Sequence, residues 1–351
     1  MQRRFHTLEG LRGVAAVAVV LFHLGGAWRA VFSHAYLAVD LFFLISGVVI
    51  GHAYDLKLRN GWRAGDFMAA RLRRLAPLYF LGLLIGVVFA LVRVTFAGAD
   101  MKSLPFDLML GAAFIPQLFG NQICLFPLDY PCWSLFTEIS ANLAYALTAR
   151  VLSKRFLVVS VCFGLILLIG ANTWAHGNND MGTTTANWLG GFARVGFGFP
   201  LGLLLNRAQI EGRLPRWSVA PPILLTFVGA TFVFPWHGLY NDLIIIVLVY
   251  PALIVAALNS EPESFGTNRL FGLAGFISYP LYVLHVPFID LFDSFLTGRG
   301  LLWLLLKLGF VGALIILAYL IARFVDEPVR SWLRQRRPAS RRGWADAPLS
   351  Q

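Results

Sequence analysis

Two histidines and a glutamate lie within apolar stretches of this sequence, where an ionisable side chain is costly. His23 occurs in LRGVAAVAVVLFHLG, Glu138 in CWSLFTEIS and His285 in SYPLYVLHVP. An imidazole can act as a general base or as a nucleophile. Because ionisable groups inside a membrane mark functional sites by default, these three are the first candidates for chemistry. For His23, a structural hydrogen bond to a neighbouring helix is the alternative.

His23 and Glu138 form a candidate catalytic pair. Glu138 comes early in a helix that would run inward, so its expected depth matches that of His23 near the outer end of the first helix. An adjacent carboxylate orients an imidazole and raises its basicity, as a general base requires. We therefore predict that Glu138 orients His23, with a buried structural ion pair as the alternative.

Three arginines form a candidate anion site at the other end of the same helices. Arg12 precedes His23 by 11 residues, which at about 100° per residue returns to nearly the same helix face, about 16 Å away. In ARLRRLAPLY, Arg71 and Arg74 share one face at the predicted start of the third span, with Pro77 in its first turn. Guanidinium groups bind phosphates bidentately. A topology anchor explains any one of these arginines equally well.

Aromatic and hydroxyl side chains near the candidate pair are predicted to line a cavity. Trp133 and Ser134 open the helix that carries Glu138, and Tyr279 and Tyr282 precede His285 in the ninth span. Helix packing is the alternative for both tyrosines. The sequence contains no HExxH, no CxxC pair and no clustered aspartates, so no metal site is predicted. It also lacks a G-x-S-x-G elbow and a Walker loop.

The elements that position these residues are predicted to be membrane helices. Of the 351 residues, 58% are apolar and 13% are charged, and the mean hydropathy is +0.70, which exceeds what a water-soluble surface carries. We predict an all-α polytopic bundle of about ten transmembrane helices. Their approximate ranges are 10–28, 36–55, 75–96, 131–150, 156–173, 187–206, 217–234, 240–258, 271–292 and 301–324.

The distribution of basic residues predicts the orientation of this bundle. Arginine and lysine collect before the first span, after every second span and in the C-terminal tail. This positive-inside pattern places both termini in the cytoplasm. The net charge of +11 is then explained by contact with anionic membrane lipids, and no nucleic-acid partner is predicted. We divide the chain into a transmembrane domain at 1–334 and a basic, disordered cytoplasmic tail at 335–351.

The three cysteines and the oligomeric state leave alternatives open. Cys124 and Cys132 fall in one external loop, where a disulfide is possible, and Cys162 lies in an apolar span. The sequence does not indicate whether the protein is a monomer or an oligomer.

Six motifs resemble the acyltransferase 3 family of integral membrane acyltransferases, which acylate exopolysaccharides, O-antigens and related surface molecules. They are, in order, LEGLRGVAAVAVVLFH, VDLFFLISG, RLRRLAP, WSLFTE, SYPLYVLH and VDEPVRSWL. The resemblance covers residues 5 to 334. Many relatives append an esterase-like extracellular domain, and this sequence ends soon after its tenth span, so a second catalytic domain is not expected.

The resemblance implies ten spans, an acyl-CoA donor and transfer to a hydroxyl, with His23 as the essential catalytic residue. It also implies that Arg12, Arg71 and Arg74 bind the donor. Trp133, Ser134 and Glu138 match a family motif, as do Tyr279, Tyr282 and His285. No tightly bound cofactor is expected, because acyl-CoA, most simply acetyl-CoA, is a co-substrate.

We therefore predict an O-acyltransferase of the plasma (inner) membrane that modifies a hydroxyl of a polysaccharide, oligosaccharide or glycolipid. Whether His23 is a base or is itself acylated stays open at this point, as do the acyl group and the acceptor. A transporter or flippase is the alternative, and it predicts broken helices in matching halves of the chain. A structural or sensory membrane protein is a third class, in which the internal polar groups serve packing only.

Overall fold

The computed structural model describes residues 4–98, 102–119, 123–233, 238, 240–296, 298 and 300–335. In the first part of the chain the helices are α1 (His6–His23), α2 (Gly26–Val31), α3 (Ala38–Arg59), α4 (Ala64–Ala97), α5 (Leu104–Ala112) and α6 (Cys132–Thr148). The remainder contains α7 (Lys154–Trp174), α8 (Trp188–Ile210), α9 (Pro221–Val233), α10 (Asn241–Ile244), α11 (Tyr250–Asn259), α12 (Phe265–Phe295), α13 (Gly300–Ile321) and α14 (Glu327–Gln335). Two π-helical segments, Ile245–Val249 and Ala322–Asp326, join α10 to α11 and α13 to α14.

This architecture confirms the predicted all-α class. Each of the ten predicted spans contains a helix, and seven helical stretches are long and apolar enough to cross a membrane by length and composition. The other three predicted spans correspond to α1, which carries Glu9 and Arg12, and to the shorter α6 and α9. The count of ten and the orientation therefore stay predictions. The predicted tail at 335–351 lies outside the described residues except for residue 335.

The outward faces of the long helices are apolar and exposed. Phe163 and Ile166 on α7 and Leu301 and Leu302 on α13 leave 61%, 65%, 72% and 71% of their surface uncovered. In water such a surface would be unfavourable, but in hydrocarbon it has no cost. The exposed apolar helices are those expected of a multi-pass membrane protein.

One helix boundary differs from its prediction. The third span was predicted to begin at residue 75 with Pro77 in its first turn, whereas α4 begins at Ala64 and contains Pro77 in its interior. Hydropathy detects only the part of a helix inside the hydrocarbon, and the segment from Ala64 to Arg74 carries one aspartate and three arginines. The arginines of this region therefore project from a rigid helix rather than from a loop.

Small residues allow close crossings that define the interior of the bundle. A Cβ atom at Gly13 on α1 would lie 2.5 Å from the Cβ of Ala274 on α12. On α3, a Cβ atom at Gly47 would lie 2.2 Å from the carbonyl oxygen of Phe199 on α8. Since lipid supplies no hydrophobic drive between helices, such close approaches are a main source of helix association. They place α1 directly against α12 and α3 directly against α8.

Candidate active site

His23 and His285 form a hydrogen-bonded pair where α1 meets α12. The Nδ1 atom of His23 lies 2.9 Å from Nε2 of His285, and His285 is fully buried. The close crossing at Gly13 and Ala274 brings the last turn of α1 against the middle of α12. The sequence singled out both histidines but did not predict that they pair.

The hydrogen bonds of His285 determine the tautomer of His23 when both rings are neutral. Nδ1 of His285 lies 3.2 Å from the carbonyl oxygen of Leu281 and 2.7 Å from that of Tyr282. A carbonyl oxygen only accepts, so Nδ1 of His285 carries the proton and its Nε2 is an acceptor. His23 must then donate from Nδ1, which leaves a lone pair on its Nε2. That nitrogen has the electronic state that a general base requires.

The predicted pairing of Glu138 with His23 is wrong. Glu138 Oε1 instead accepts hydrogen bonds from Arg71 Nη2 at 2.9 Å and from Ser46 Oγ at 2.6 Å. The reason is the order of helices in the bundle, since α1 packs against α12 and Glu138 on α6 faces α3 and α4. Glu138 therefore belongs to the arginine site. His285, rather than Glu138, lies beside His23.

The three predicted arginines meet at one cavity. We call it the middle cavity; it has an empty volume of about 810 Å³. Its polar lining is Arg12, Arg71, Arg74, Glu138, Tyr279, Tyr282, Ser46, Ser134 and Ser278. Arg12 and Arg74 have no hydrogen-bond or ion-pair partner among the described residues, and Nε of the buried Arg71 is also without one. Three arginines and one carboxylate line this cavity, and this excess of guanidinium groups suits an anion.

Two further cavities continue this space in opposite directions. The basal cavity, of about 1140 Å³, lies on the side where α1 begins and shares Arg12, Arg74 and Tyr279 with the middle cavity. The histidine chamber, of about 370 Å³, contains His23 and shares Val39 and Tyr282 with the middle cavity. A row of three adjoining cavities thus runs from the basic end of α1 to His23.

The remaining predicted site residues lie in the walls of these cavities. Trp133 lines the histidine chamber, and Ser134 lines the middle cavity. The Tyr282 hydroxyl lies 2.7 Å from Ser134 Oγ, and the Tyr279 hydroxyl donates to the carbonyl oxygen of Leu75 at 2.8 Å. All ten predicted residues therefore lie in or beside one continuous site.

Several polar residues of the histidine chamber were missed by the sequence reasoning. Tyr130 packs edge-on against His23 with ring centroids 5.3 Å apart. Asp180 lies in the loop between α7 and α8, where burial raises the pKa of its carboxyl group although Arg194 and Arg29 act against this. Arg194 is fully buried and forms a bidentate pair with Asp40, at 3.1 and 2.8 Å.

The signal that could have revealed the Arg194 pair was present in the sequence. Arg194 and Asp40 are opposite charges in two separate apolar segments, as are Arg207 and Asp55, which also form a bidentate pair. Lone charges in lipid require partners, so an unmatched arginine and an unmatched aspartate in two spans predict a contact between them. Both pairs join α3 to α8. The Arg194 guanidinium also lies over the Trp133 ring, 5.3 Å from its centroid.

The cysteines do not form the disulfide that the sequence left open. Cys124, Cys132 and Cys162 are all free thiols. Cys132 Sγ donates to Asp129 Oδ2 at 3.0 Å, so it helps to hold the loop that leads into α6. Among the described residues no group of three or more histidine, cysteine, aspartate or glutamate side chains is suited to a metal ion.

Comparison with known proteins identifies the family of this chain. The model of the acyltransferase domain of the acyltransferase 3 family matches residues 5–323. Protein 2 in the picA locus of Rhizobium radiobacter is 37% identical over an alignment that covers 48% of this chain and 95% of that protein. The peptidoglycan O-acetyltransferase OatA of Listeria monocytogenes and the O-acetyltransferase OatA of Staphylococcus aureus are 25% and 22% identical.

Both OatA alignments cover 92% of this chain but only 55% and 57% of the relatives, so the chain spans little more than half their length. No solved structure matches the chain. The family match extends over nearly all of the helical bundle and includes the histidine pair, the arginines and the cavities between them. It favours an enzyme over the transporter alternative. The chain is a multi-pass membrane acyltransferase that belongs to the acyltransferase 3 family.

Proposed function

We propose that this enzyme transfers an acyl group from acyl-CoA to a hydroxyl of a cell-surface polysaccharide, oligosaccharide or glycolipid, with His23 as the general base. The observation that carries this proposal is the row of cavities that leads from Arg12, Arg71 and Arg74 to the His23–His285 pair. A cationic cavity at one end and a basic nitrogen at the other suit a long donor with an anionic head and a reactive tail.

The anionic head of acyl-CoA fits the arginine end of this row. Arg12, Arg71 and Arg74 present guanidinium groups that bind phosphates bidentately. Arg12 and His23 are separated by about 16 Å along α1, which is comparable to the length of an extended pantetheine arm. With the phosphates at Arg12, the thioester would therefore reach the histidine chamber.

The proposed transfer step follows from the tautomer of His23. His23 Nε2 takes the proton of the acceptor hydroxyl while the hydroxyl oxygen attacks the thioester carbonyl carbon. The carbonyl re-forms as the carbon–sulfur bond breaks, and the thiolate takes the proton from His23 Nε2 to leave as coenzyme A thiol. His285 Nε2 accepts from His23 Nδ1 throughout, so it stabilises the imidazolium without taking its proton.

The acceptor side of the chamber suits a sugar. Asp180 supplies carboxylate oxygens, and Tyr130 and Trp133 supply aromatic surface. The names of the OatA relatives, one a peptidoglycan O-acetyltransferase, support a glycan acceptor and an acetyl group. The proposed location is the plasma (inner) membrane with both termini in the cytoplasm, so that the donor enters from the cytoplasm and the acceptor from outside.

The test is transfer by the purified full-length protein in lipid nanodiscs, with radiolabelled acetyl-CoA and a mixture of cell-wall and lipid-linked glycans. We expect acceptor-dependent labelling by the wild type and loss of it in His23→Ala. His176→Asn is the matched control, because His176 is an exposed histidine outside all three cavities, and it should retain full transfer. A His23→Ala protein that still labels the acceptor would contradict the proposal.

A chase without acceptor separates the two possible roles of His23. If His23 is a general base, no label stays on the protein after the donor is removed. If His23 carries the acyl group, label remains on the wild type, is absent from His23→Ala and is released by added glycan. A protein-bound label would replace the one-step mechanism by a two-step one.

A further inference from the structure

Tyr282 lies where the middle cavity meets the histidine chamber. Of the two residues that line both spaces, Val39 is apolar and Tyr282 is polar. A thioester that extends from the arginines to His23 must therefore pass the Tyr282 hydroxyl. The proposed function leaves this hydroxyl without a role.

The hydrogen bonds around Tyr282 make its hydroxyl a donor. Ser134 Oγ donates to the carbonyl oxygen of Pro131 at 2.9 Å, which uses its single proton. Tyr282 Oη lies 2.7 Å from Ser134 Oγ and 3.4 Å from the Pro131 carbonyl. Because the Ser134–Pro131 contact is the shorter of the two contacts to that carbonyl, we assign Tyr282 as the donor and Ser134 as the acceptor between the two hydroxyls. A neutral acceptor of this kind is readily exchanged for an anionic one, because hydrogen bonds to charged groups are roughly twice as strong.

The same residue is fixed relative to the histidine pair. The Tyr282 carbonyl oxygen lies 2.7 Å from Nδ1 of His285, and its ring packs edge-on against Phe42 with centroids 5.6 Å apart. One turn of α12 thus holds the orientation of His285 and the position of the Tyr282 hydroxyl together. A donor fixed before the reaction stabilises developing charge without the cost of reorganisation.

We infer that the Tyr282 hydroxyl is a catalytic donor that stabilises the oxyanion formed when the acceptor attacks the thioester. The inference rests on the proposed function. In this step the new carbon–oxygen bond forms, the carbonyl π electrons move onto the carbonyl oxygen, and Tyr282 moves its hydrogen bond from Ser134 to that oxygen. The phenol keeps its proton. When the carbon–sulfur bond breaks, the carbonyl re-forms and the hydrogen bond returns to Ser134.

Other donors near His23 are less suited to this role. The Arg194 guanidinium uses Nε, Nη1 and Nη2 in hydrogen bonds to Asp40, Tyr36 and Met181. Tyr130 lines the histidine chamber but not the middle cavity, so it faces the acceptor side. Tyr282 is the polar group that the donor meets on its way to His23.

The test is steady-state kinetics of Tyr282→Phe in nanodiscs with acetyl-CoA and an acceptor that the wild type acetylates. Removing one oxyanion donor lowers kcat by about 10²–10³-fold. We expect that loss with KM for acetyl-CoA and the affinity for coenzyme A within about threefold of wild type, since a transition-state contact leaves ground-state binding unchanged. The pH profile should keep its shape because His23 is intact. Tyr250→Phe is the control, as it removes another buried tyrosine hydroxyl outside the cavities.

Ser134→Ala distinguishes catalysis from packing. It removes the resting partner of Tyr282 but keeps the phenol, so kcat should fall by much less than in Tyr282→Phe. If the pair with Ser134 only holds the helices together, Ser134→Ala and Tyr282→Phe will lose activity and thermal stability alike, and the inference is overturned. An unchanged kcat in Tyr282→Phe also overturns it. Absence of transfer by the wild type would instead contradict the proposed function itself.

Discussion

A histidine between membrane helices serves as a base only if one ring nitrogen keeps a lone pair directed at the substrate. In this enzyme the backbone of α12 determines the tautomer of His23. Two carbonyl oxygens of α12 hold the proton on His285 Nδ1, so His285 Nε2 accepts from His23 Nδ1. In the proposed mechanism His285 is therefore a positioning residue that acts through His23. The arrangement needs no carboxylate beside the imidazole.

Replacing His285 should reduce the rate without preventing donor binding. His285→Leu removes the side-chain acceptor of His23 Nδ1, so kcat should fall by on the order of 10²–10⁴-fold, the usual contribution of a general base. His285→Gln should recover part of the rate, since its amide oxygen can accept from His23 Nδ1. Kinetics over a range of pH, with thermal unfolding of each variant, provide the measurement. A folded His285→Leu protein with wild-type kcat would exclude the positioning role.

The sequence predicted the important residue types but not all their partners. His23, His285 and the three arginines are recognisable because each is a polar group where lipid tolerates few. Periodicity along one helix gives the depth and the face of each residue. Periodicity does not reveal which helices are neighbours. The predicted contact between His23 and Glu138 was wrong because α12, rather than α6, packs against the last turn of α1.

At the scale of helices, the crossing of α3 and α8 forms the rigid wall behind the site. Its backbones meet at Gly47 and Gly202, where a Cβ atom on Gly202 would lie 2.2 Å from the carbonyl oxygen of Leu44. The buried pairs Asp40–Arg194 and Asp55–Arg207 lie on either side of this crossing. Hydropathy predicted both helices but could not predict the pairs. In the sequence, the two members of a pair are single charged residues in two separate apolar segments, and hydropathy does not show that they are in contact.

The glycine at this crossing should be intolerant of a single added methyl group. Gly202→Ala must push the two backbones apart, which we expect to cost about 1–3 kcal/mol, the usual cost of overpacking. Gly196→Ala on the same helix is the matched control, since a Cβ there meets nothing within 4 Å and alanine favours a helix. Thermal unfolding of both variants in one detergent gives the comparison. Equal melting temperatures would show that α3 and α8 do not depend on this close approach.

At the scale of the whole molecule, the cavities give the bundle two chemically different ends. The basal cavity is lined by six arginines and three acidic residues, whereas the histidine chamber at the other end contains aromatic rings and a half-buried carboxylate. Tyr282 and Val39 line both the middle cavity and the histidine chamber. This asymmetry agrees with the predicted orientation, in which the basic end faces the cytoplasm. Donor and acceptor would thus meet inside the protein without either crossing the membrane.

That arrangement predicts that sealed vesicles use acyl-CoA from one side only. The donor's phosphates cannot cross hydrocarbon, since even one charge there is costly, so the thioester reaches His23 only when acyl-CoA is supplied on the side where α1 begins. Inside-out vesicles should therefore acetylate an enclosed acceptor with external acetyl-CoA, and right-side-out vesicles should not. Protease cleavage of an N-terminal tag reports the orientation in each preparation, and detergent should restore equal activity to both. Equal rates in the two sealed preparations, or activity in right-side-out vesicles alone, would contradict the one-sided route through the arginines.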